Sequence, residues 1–413
     1  MNENTLLLFT NDYPYGKKET YLETEINYAS KKFDNIIIVT TTKQQYKRNV
    51  PSNVKVFNVK RNYRLLSCFL YSFFKCFSRE NINEFRSFRK KYGFVKTFIG
   101  IFKCQMIAKR YELFVHKLKL DYSHTIGYSY WLNNLAYSLV RINIKKKMIK
   151  IVSRVHGFEL RDDEVYIPFR QKIEDGLTHI FFISNNGLNK YNEIMKTYKI
   201  CENKNCKKIM SRLGTTRSTN IENHSTNPNN FVIVSCSLVY PLKRLDLIID
   251  ILSSVQCQET KIKWIHFGGG PDLDTIKKLA KEKLPNIDVT FCGQISNKEI
   301  NDFYCNNRVD LFINMSDSEG IPVSIMEAES YGIPILARNV GGLSEIVNNE
   351  IGHLVISDNI VGESKEYILS LLGTSKVIEY ISDLRNAVIK YWNENYNAER
   401  NYRDFYIELT REN

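Results

Sequence analysis

The chain predicts an α/β protein built from two doubly wound parallel sheets. Three observations predict it. Short apolar runs of strand length alternate with segments of helical period along most of the 413 residues. A polar, turn-rich stretch at 215–230, TTRSTNIENHSTNPNN, interrupts that alternation and reads as a linker. After it the rhythm restarts, so the second half repeats the first in architecture but not in sequence. A chain of this length is expected to hold two or three domains.

The elements follow in order. Leu6 to Thr10 and Ile36 to Thr40 are short, apolar and bounded by turns, as buried parallel strands are. The first run has no basic segment before it, so it reads as a strand rather than a secretory signal. Between the two, ETYLETEINYASKKF carries Leu22, Ile26 and Ala29 at helical spacing, which completes a βαβ opening. Val54 to Val59 is a third strand, and residues 61–120 supply helices. A strand is expected over Asp121 to Gly127 and a helix over Trp131 to Arg141. Ile149 to Val155 is a strand ending at His156-Gly157; His179 to Ser184 is another, followed by a helix over Asn185 to Tyr198. Beyond the linker come FVIVSCSLV, a helix from Leu245 to Val255, WIHFGGGP, a helix to Lys283, VTFCG, a helix from Asn297 to Asn306, and DLFIN. From Lys376 onward the tail is helical and amphipathic.

Composition excludes several classes. The hydrophobic fraction of 43% and charged fraction of 25% are those of a globular protein. The longest uncharged apolar run, Leu65 to Phe74, ends at Lys75, well short of the roughly 18 residues of a membrane span. Nine cysteines are scattered without a CxxC pair or zinc spacing, which suits reduced thiols in a cytoplasm. Cys236 and Cys292 lie in apolar runs and read as small core residues. Charge is uneven. Residues 61–120 hold fourteen Lys/Arg and three Asp/Glu, a net of +11 out of +13 for the chain. The same segment is rich in Phe, as in FLYSFFKCF and FRSFRKKYGFVKTFIGIFK. That mixture suits an anionic lipid surface or nucleic acid. It equally suits helices with Phe cores and solvated Lys faces.

The most informative stretch is Asp310 to Val347, DLFINMSDSEGIPVSIMEAESYGIPILARNVGGLSEIV. A buried strand ends in a polar turn with Glu319 and Gly320. A helix opens near Pro322, with a second carboxylate at Glu327, and a Gly341-Gly342 pair closes the stretch. The first N–H groups of that helix lack internal partners and make an anion site. Proline suits the first turn because it has no N–H to leave unpaired, and Gly320 lets a ligand approach the backbone. Eight helical residues span at most about 12 Å, which suits two carboxylates holding different parts of one ligand.

This stretch resembles the glutamate–seven residues–glutamate signature of retaining glycosyltransferases of family 4, the glycosyl transferases group 1. The resemblance implies a GT-B fold: two Rossmann-like domains facing across a cleft. It implies an acceptor-binding domain over 1–214, the linker 215–230, a nucleotide-sugar-binding domain over 231–395, and a last helix, 396–413, returning to the first domain. Within the signature, Glu319 would hold donor-sugar hydroxyls and Glu327 the ribose. Gly320, Ile321, Pro322 and Val323 would meet the donor.

Three further segments resemble family motifs. In SCSLVYPLKRLD, Lys243 matches the lysine that binds the donor diphosphate, with Arg244 beside it. The family's arginine six residues earlier falls on Ser237 here. In SRVHGFEL, His156 stands at a strand's carboxyl end, where ligands bind open α/β sheets, and resembles the histidine that faces the donor sugar. Arg154 and Glu159 are weaker candidates. NDYPYGKKET keeps Gly16 of a two-glycine turn but has Lys17 where the second glycine stands. Ile295, after FCGQ, matches the segment whose backbone receives the base. Gly268-Gly269-Gly270-Pro271 is a strand-end turn, and Asp272 and Asp274 read as a helix cap rather than a metal motif.

The resemblance therefore implies an enzyme that moves a sugar from a nucleotide sugar, UDP-linked, to a glycan or polyprenyl-linked acceptor in bacterial polysaccharide biosynthesis. His156 and Glu319 would be its catalytic residues. No metal or other cofactor is expected. An anionic membrane surface is a candidate partner for 61–120; nucleic acid is not expected. The expected place is the cytoplasm, on the inner face of the membrane. Two rivals stay open: a GT-B sugar-nucleotide epimerase, and a non-catalytic binding protein of the same fold.

Overall fold

A computed structural model describes residues 4–16, 19–42, 47–218, 229–255, 260–372 and 375–411. Lys17, Lys18, most of the 215–230 stretch and Cys257 lie outside the described residues. The chain divides into two compact units, one of residues 1–212 with 402–413, the other of residues 213–401.

The first unit carries seven strands: β1 (Thr5–Phe9), β2 (Asn35–Thr40), β3 (Val54–Asn58), β4 (Thr125–Ser129), β5 (Lys150–Val155), β6 (His179–Phe182) and β7 (Lys207–Met210). They form one sheet in the order β3-β2-β1-β4-β5-β6-β7, with every pairing parallel. Leu6, Leu7, Leu8 and Phe9 are all buried, as a central strand covered on both faces requires. The helix Tyr21–Ala29 presents Leu22, Ile26 and Ala29 to the core, the spacing read from the sequence.

The 122–146 region differs from expectation. A 3₁₀ turn, Tyr122–His124, precedes β4, because the Asp121 carboxylate accepts from the Ser123 amide and holds a turn there. The helix begins at Asn134 rather than Trp131 and runs to Lys146. Asn133 sets that start: its side chain accepts from the Leu135 amide as a cap.

Arg154, a weaker site candidate, is instead a structural cation. It is fully buried and donates to Glu25 at 2.7 Å. Glu25 also accepts from the Tyr128 and Tyr406 hydroxyls. The guanidinium lies 4.2 Å from the Phe405 ring centroid. One ion pair thus joins the first helix, the sheet and the last helix, Ala398–Thr410, whose residues from Tyr402 on belong to this unit.

The second unit carries β8 (Asn230–Cys236), β9 (Lys261–Phe267), β10 (Asp288–Gly293), β11 (Leu311–Asn314), β12 (Ile335–Arg338) and β13 (Gly352–Val355). Their order is β10-β9-β8-β11-β12-β13, again all parallel. Trp264 is fully buried; its indole N–H donates to Ser235 at 2.9 Å. Cys236 and Cys292 are not core residues: the first is half-buried and the second exposed. β10 is an edge strand whose residues alternate between exposed and half-buried, so an apolar run there need not be covered. Thr215 belongs to the packed body of this unit, since its amide donates to the Tyr396 carbonyl and its hydroxyl accepts from Trp392 at 2.9 Å.

Candidate functional site

In the second unit the candidate residues gather where β8, β9, β10 and β11 end. β8 runs into a 3₁₀ turn, Pro241–Lys243, and then the helix Leu245–Ser254. The helix opens two residues later than Lys243, because Arg244 stands between the two turns in a left-handed conformation (φ 50°). β11 ends in the loop that carries Glu319. The two loops are tied together, the Asp317 amide donating to the Leu242 carbonyl at 2.9 Å.

Lys243 and Glu319 meet at the junction, Nζ to Oε1 at 2.5 Å, with both side chains mostly buried. The same carboxylate oxygen accepts from the Ser316 hydroxyl at 2.8 Å and the Asn314 amide at 3.4 Å. Sequence reading found the lysine and the glutamate but not these two donors. Their spacing, three and five residues before Glu319, is the only signal they leave. Arg244 is engaged elsewhere: its guanidinium pairs with Asp246 at 3.1 Å and Asp317 at 3.2 Å. Those two carboxylates strengthen its hold on the proton.

The Gly341-Gly342 pair shapes this loop. A Cβ at Gly341, whose φ is +57°, would stand 1.9 Å from the Glu319 carbonyl oxygen; one at Gly342 would stand 2.5 Å from that of Gly320. The Gly342 amide donates to the Glu319 carbonyl. Only glycine allows that approach. Ile321 is buried, with its Cδ1 beside Gly342, so its side chain anchors the loop and only its backbone is left for a ligand.

Pro322 then stands at the N-cap of the helix Val323–Ser330, as the sequence predicts. Glu327, on that helix, is buried and has a different environment from Glu319. Its Oε1 accepts from Asn297 at 2.7 Å, and burial pushes its carboxyl up to about 8. Asn297 was not read from the sequence, because it lies 30 residues before its partner and follows an ordinary capping box, Ser296 with Glu299. Ile295 is half-buried just before that cap.

Gly268 and Gly270 do more than turn the chain. A Cβ at Gly268 would meet the Ser237 carbonyl at 1.7 Å, and one at Gly270 the Val239 carbonyl at 2.2 Å. They let the β9 loop lie against the β8 loop that carries Lys243. Asp272 stands at the N-cap of Leu273–Lys283 but makes no side-chain cap bond, which corrects the cap expected there. Its backbone (φ −94°, ψ 5°) is not extended, so the carboxylate cannot fold back on the first turn.

In the first unit, His156 follows β5 and is 6% exposed. Its ring lies 4.5 Å from that of Trp131 and 4.8 Å from that of Tyr130, centroid to centroid. Neither ring nitrogen has a hydrogen-bond partner among the described residues. Glu159 positions the segment: one oxygen accepts from the His156 amide at 3.2 Å and the other from the Leu132 amide at 3.0 Å. The Glu159 carboxylate stands 3.8 Å from Nδ1, so the buried imidazole keeps hydrogen-bonding capacity to spare.

The turn after β1 departs from a glycine-rich anion loop in a specific way. Its amides are already occupied. Glu19, buried, accepts from Asn11 at 3.2 Å, Asp12 at 2.8 Å and Tyr13 at 2.6 Å, and from the Trp131 indole. Gly16, with φ 68°, gives its carbonyl to the buried Arg48 at 2.8 Å. Gly16 is therefore held as a turn residue, and Glu19 fills the amide cradle beside it.

Residues 216–391 match the family model described as glycosyl transferases group 1. The second unit is a group 1 glycosyltransferase domain. The chain aligns with the GDP-mannose-dependent alpha-(1-6)-phosphatidylinositol monomannoside mannosyltransferase of Mycobacterium tuberculosis, 28% identical over 147 residues, 34% of this chain and 38% of that protein. The O-antigen biosynthesis glycosyltransferase WbnH of Escherichia coli is 37% identical over 110 residues, 27% of this chain and 29% of that one. The match thus spans well under half the length of these relatives. Solved structures are similar over nearly the whole chain. The lipopolysaccharide outer core galactosyltransferase WaaB has a TM-score of 0.65 at 13% identity, covering 98% of this chain and 99% of that one. HepE of Anabaena, in complex with UDP and glucose, has a TM-score of 0.63 at 14% identity over the same shares. The chain has the GT-B glycosyltransferase fold, with the Lys243–Glu319 junction inside the group 1 domain.

Proposed function

We propose that this protein is a retaining glycosyltransferase, family 4-like, that moves a sugar from a UDP-linked donor to a glycan or lipid-linked acceptor in bacterial surface polysaccharide synthesis. The observation that carries it is the Lys243–Glu319 junction beside the N-terminus of the helix Val323–Ser330. A cation and a helix N-terminus side by side suit a leaving diphosphate, whose charge grows as the glycosidic bond breaks. In this reading Lys243 turns from Glu319 to the diphosphate. That frees the Glu319 carboxylate, still held by Ser316 and Asn314, for donor-sugar hydroxyls. Glu327 takes the ribose, steadied by Asn297. The backbone at Gly320–Val323 and at Ile295 frames the rest of the donor, and His156 is the first unit's candidate for contacting sugar.

WbnH, named for O-antigen biosynthesis, and HepE, solved with UDP and glucose, support the acceptor class and the nucleotide. The GDP-mannose dependence in the mycobacterial relative's name favours GDP as the second choice. No metal is needed in this mechanism because Lys243 and the helix N-terminus already face the phosphates' charge. Product NMR from an α-linked donor, with and without EDTA, tests it. An α-linked product, formed equally in EDTA, is expected. A β-linkage would remove the retaining assignment. Loss of activity in EDTA would bring Asp272 and Asp274 back as ligands.

A further inference from the structure

Eleven of the eighteen exposed large hydrophobic side chains among the described residues lie between Leu65 and Ile99. Their arrangement is inside out. The helix Leu65–Cys76 buries Cys68 and Ser72, and turns Leu66, Leu70, Phe73 and Phe74 to solvent. Leu66 is 71% exposed and Phe74 is 69% exposed. The helix Phe94–Val115 repeats the pattern in its first turns, burying Thr97 while Phe94 is 64% exposed. Scattered exposed apolar residues are ordinary, but a continuous apolar stripe on the solvent face of a helix is not.

The two stripes meet. Phe73, Phe77, Phe94 and Phe98 line one groove of about 370 Å³, whose rim carries Arg86 and Arg89. Both arginines are exposed and have no carboxylate partner among the described residues. The groove lies in the 61–120 segment with its net +11. That charge selects the occupant. A second copy would bring one basic groove against another, which like charge disfavours. A surface with an apolar interior and an anionic skin matches both the stripe and the rim. Among the described residues no helix is long and apolar enough to cross a membrane, so the match is to a bilayer's surface.

We propose that the outward faces of Leu65–Cys76 and the first turns of Phe94–Val115 dock on an anionic lipid bilayer. Phe and Leu side chains enter the acyl boundary, and Arg86 and Arg89 pair with lipid phosphates. This surface is independent of the donor site and stands or falls without it.

The test is flotation of the full chain with phosphatidylcholine vesicles, with and without about 30% phosphatidylglycerol, an anionic fraction on which such docking depends. The protein is expected to float only with the anionic vesicles. Binding should weaken in 1 M salt, where the Debye length falls to about 3 Å. Phe74→Ser with Phe94→Ser should lower binding at least about tenfold, with thermal melting close to wild type, because both side chains are mostly exposed and each gives up only an edge contact with a neighbouring Phe. Leu66→Ser with Leu70→Ser gives the same reading should the first pair fail to fold. Equal flotation with neutral vesicles, or wild-type binding by a folded double variant, would overturn the proposal. So would a dimer that the same substitutions dissolve, or RNA binding that matches vesicle binding in strength.

Discussion

Replacing Lys243 with alanine is expected to lower turnover of a nucleotide-sugar donor by about 2–4 kcal/mol of transition-state stabilisation, the scale of removing one preorganised electrostatic group. The loss should fall mainly on kcat, because the diphosphate's charge develops as the bond breaks. The fold should survive. Glu319 keeps its Ser316 and Asn314 donors and is partly exposed. Arg244→Ala serves as the contrast. Its guanidinium is already held by Asp246 and Asp317, so its removal should cost less. Steady-state kinetics of the two variants, with melting curves as the folding check, separate the roles. Wild-type kcat in Lys243→Ala would remove it from the site.

Glu327→Gln is expected to stabilise the protein while weakening donor binding. The sign follows from protonation. Burial raises the folded carboxyl from 4.5 to about 8. Below 4.5 both states keep the proton. Between 4.5 and about 8 the unfolded chain releases it and the folded one does not, so stability falls as pH rises through that window. At pH 7 the deficit is on the order of 3 kcal/mol, at 1.36 kcal/mol per unit. Glutamine keeps an acceptor for Asn297 and removes the titration. Melting temperature at pH 7 should rise and its decline with pH should flatten. Some slope should remain, because Glu329, fully buried two residues on, is pushed up in the same direction. Donor affinity should fall by roughly twofold to tenfold, the loss of one neutral hydrogen bond from the carboxyl to the ribose. A variant less stable than wild type, with the same pH slope, would contradict the account.

The sheets were legible because β1, β2, β8 and β11 are continuous apolar runs, and such runs have few alternatives to a central strand. β7 and β13 were not, since Lys207–Met210 and Gly352–Val355 are short edge strands without a buried apolar alternation. Lys243 and Glu319 were legible as candidates because they stand between strand ends and helix starts, and Glu327 because it follows Glu319 at the spacing of the signature. Asn297 and Glu19 were not, because what matters in each is a contact: Asn297 steadies Glu327 from a distant helix, and Glu19 folds back on amides six to eight residues earlier. The inside-out helices were half legible. The sequence shows Phe at helical spacing, but periodicity cannot say which side of a helix faces the core.

Release of nucleoside diphosphate from a panel of UDP- and GDP-sugars tests the central claim most directly. Wild-type protein is expected to bind and turn over at least one donor, slowly with water as acceptor, and Lys243→Ala to lower that release by roughly 30- to 1000-fold. A folded wild-type chain that neither binds nor cleaves any of them would contradict the claim and leave a non-catalytic protein of the same fold.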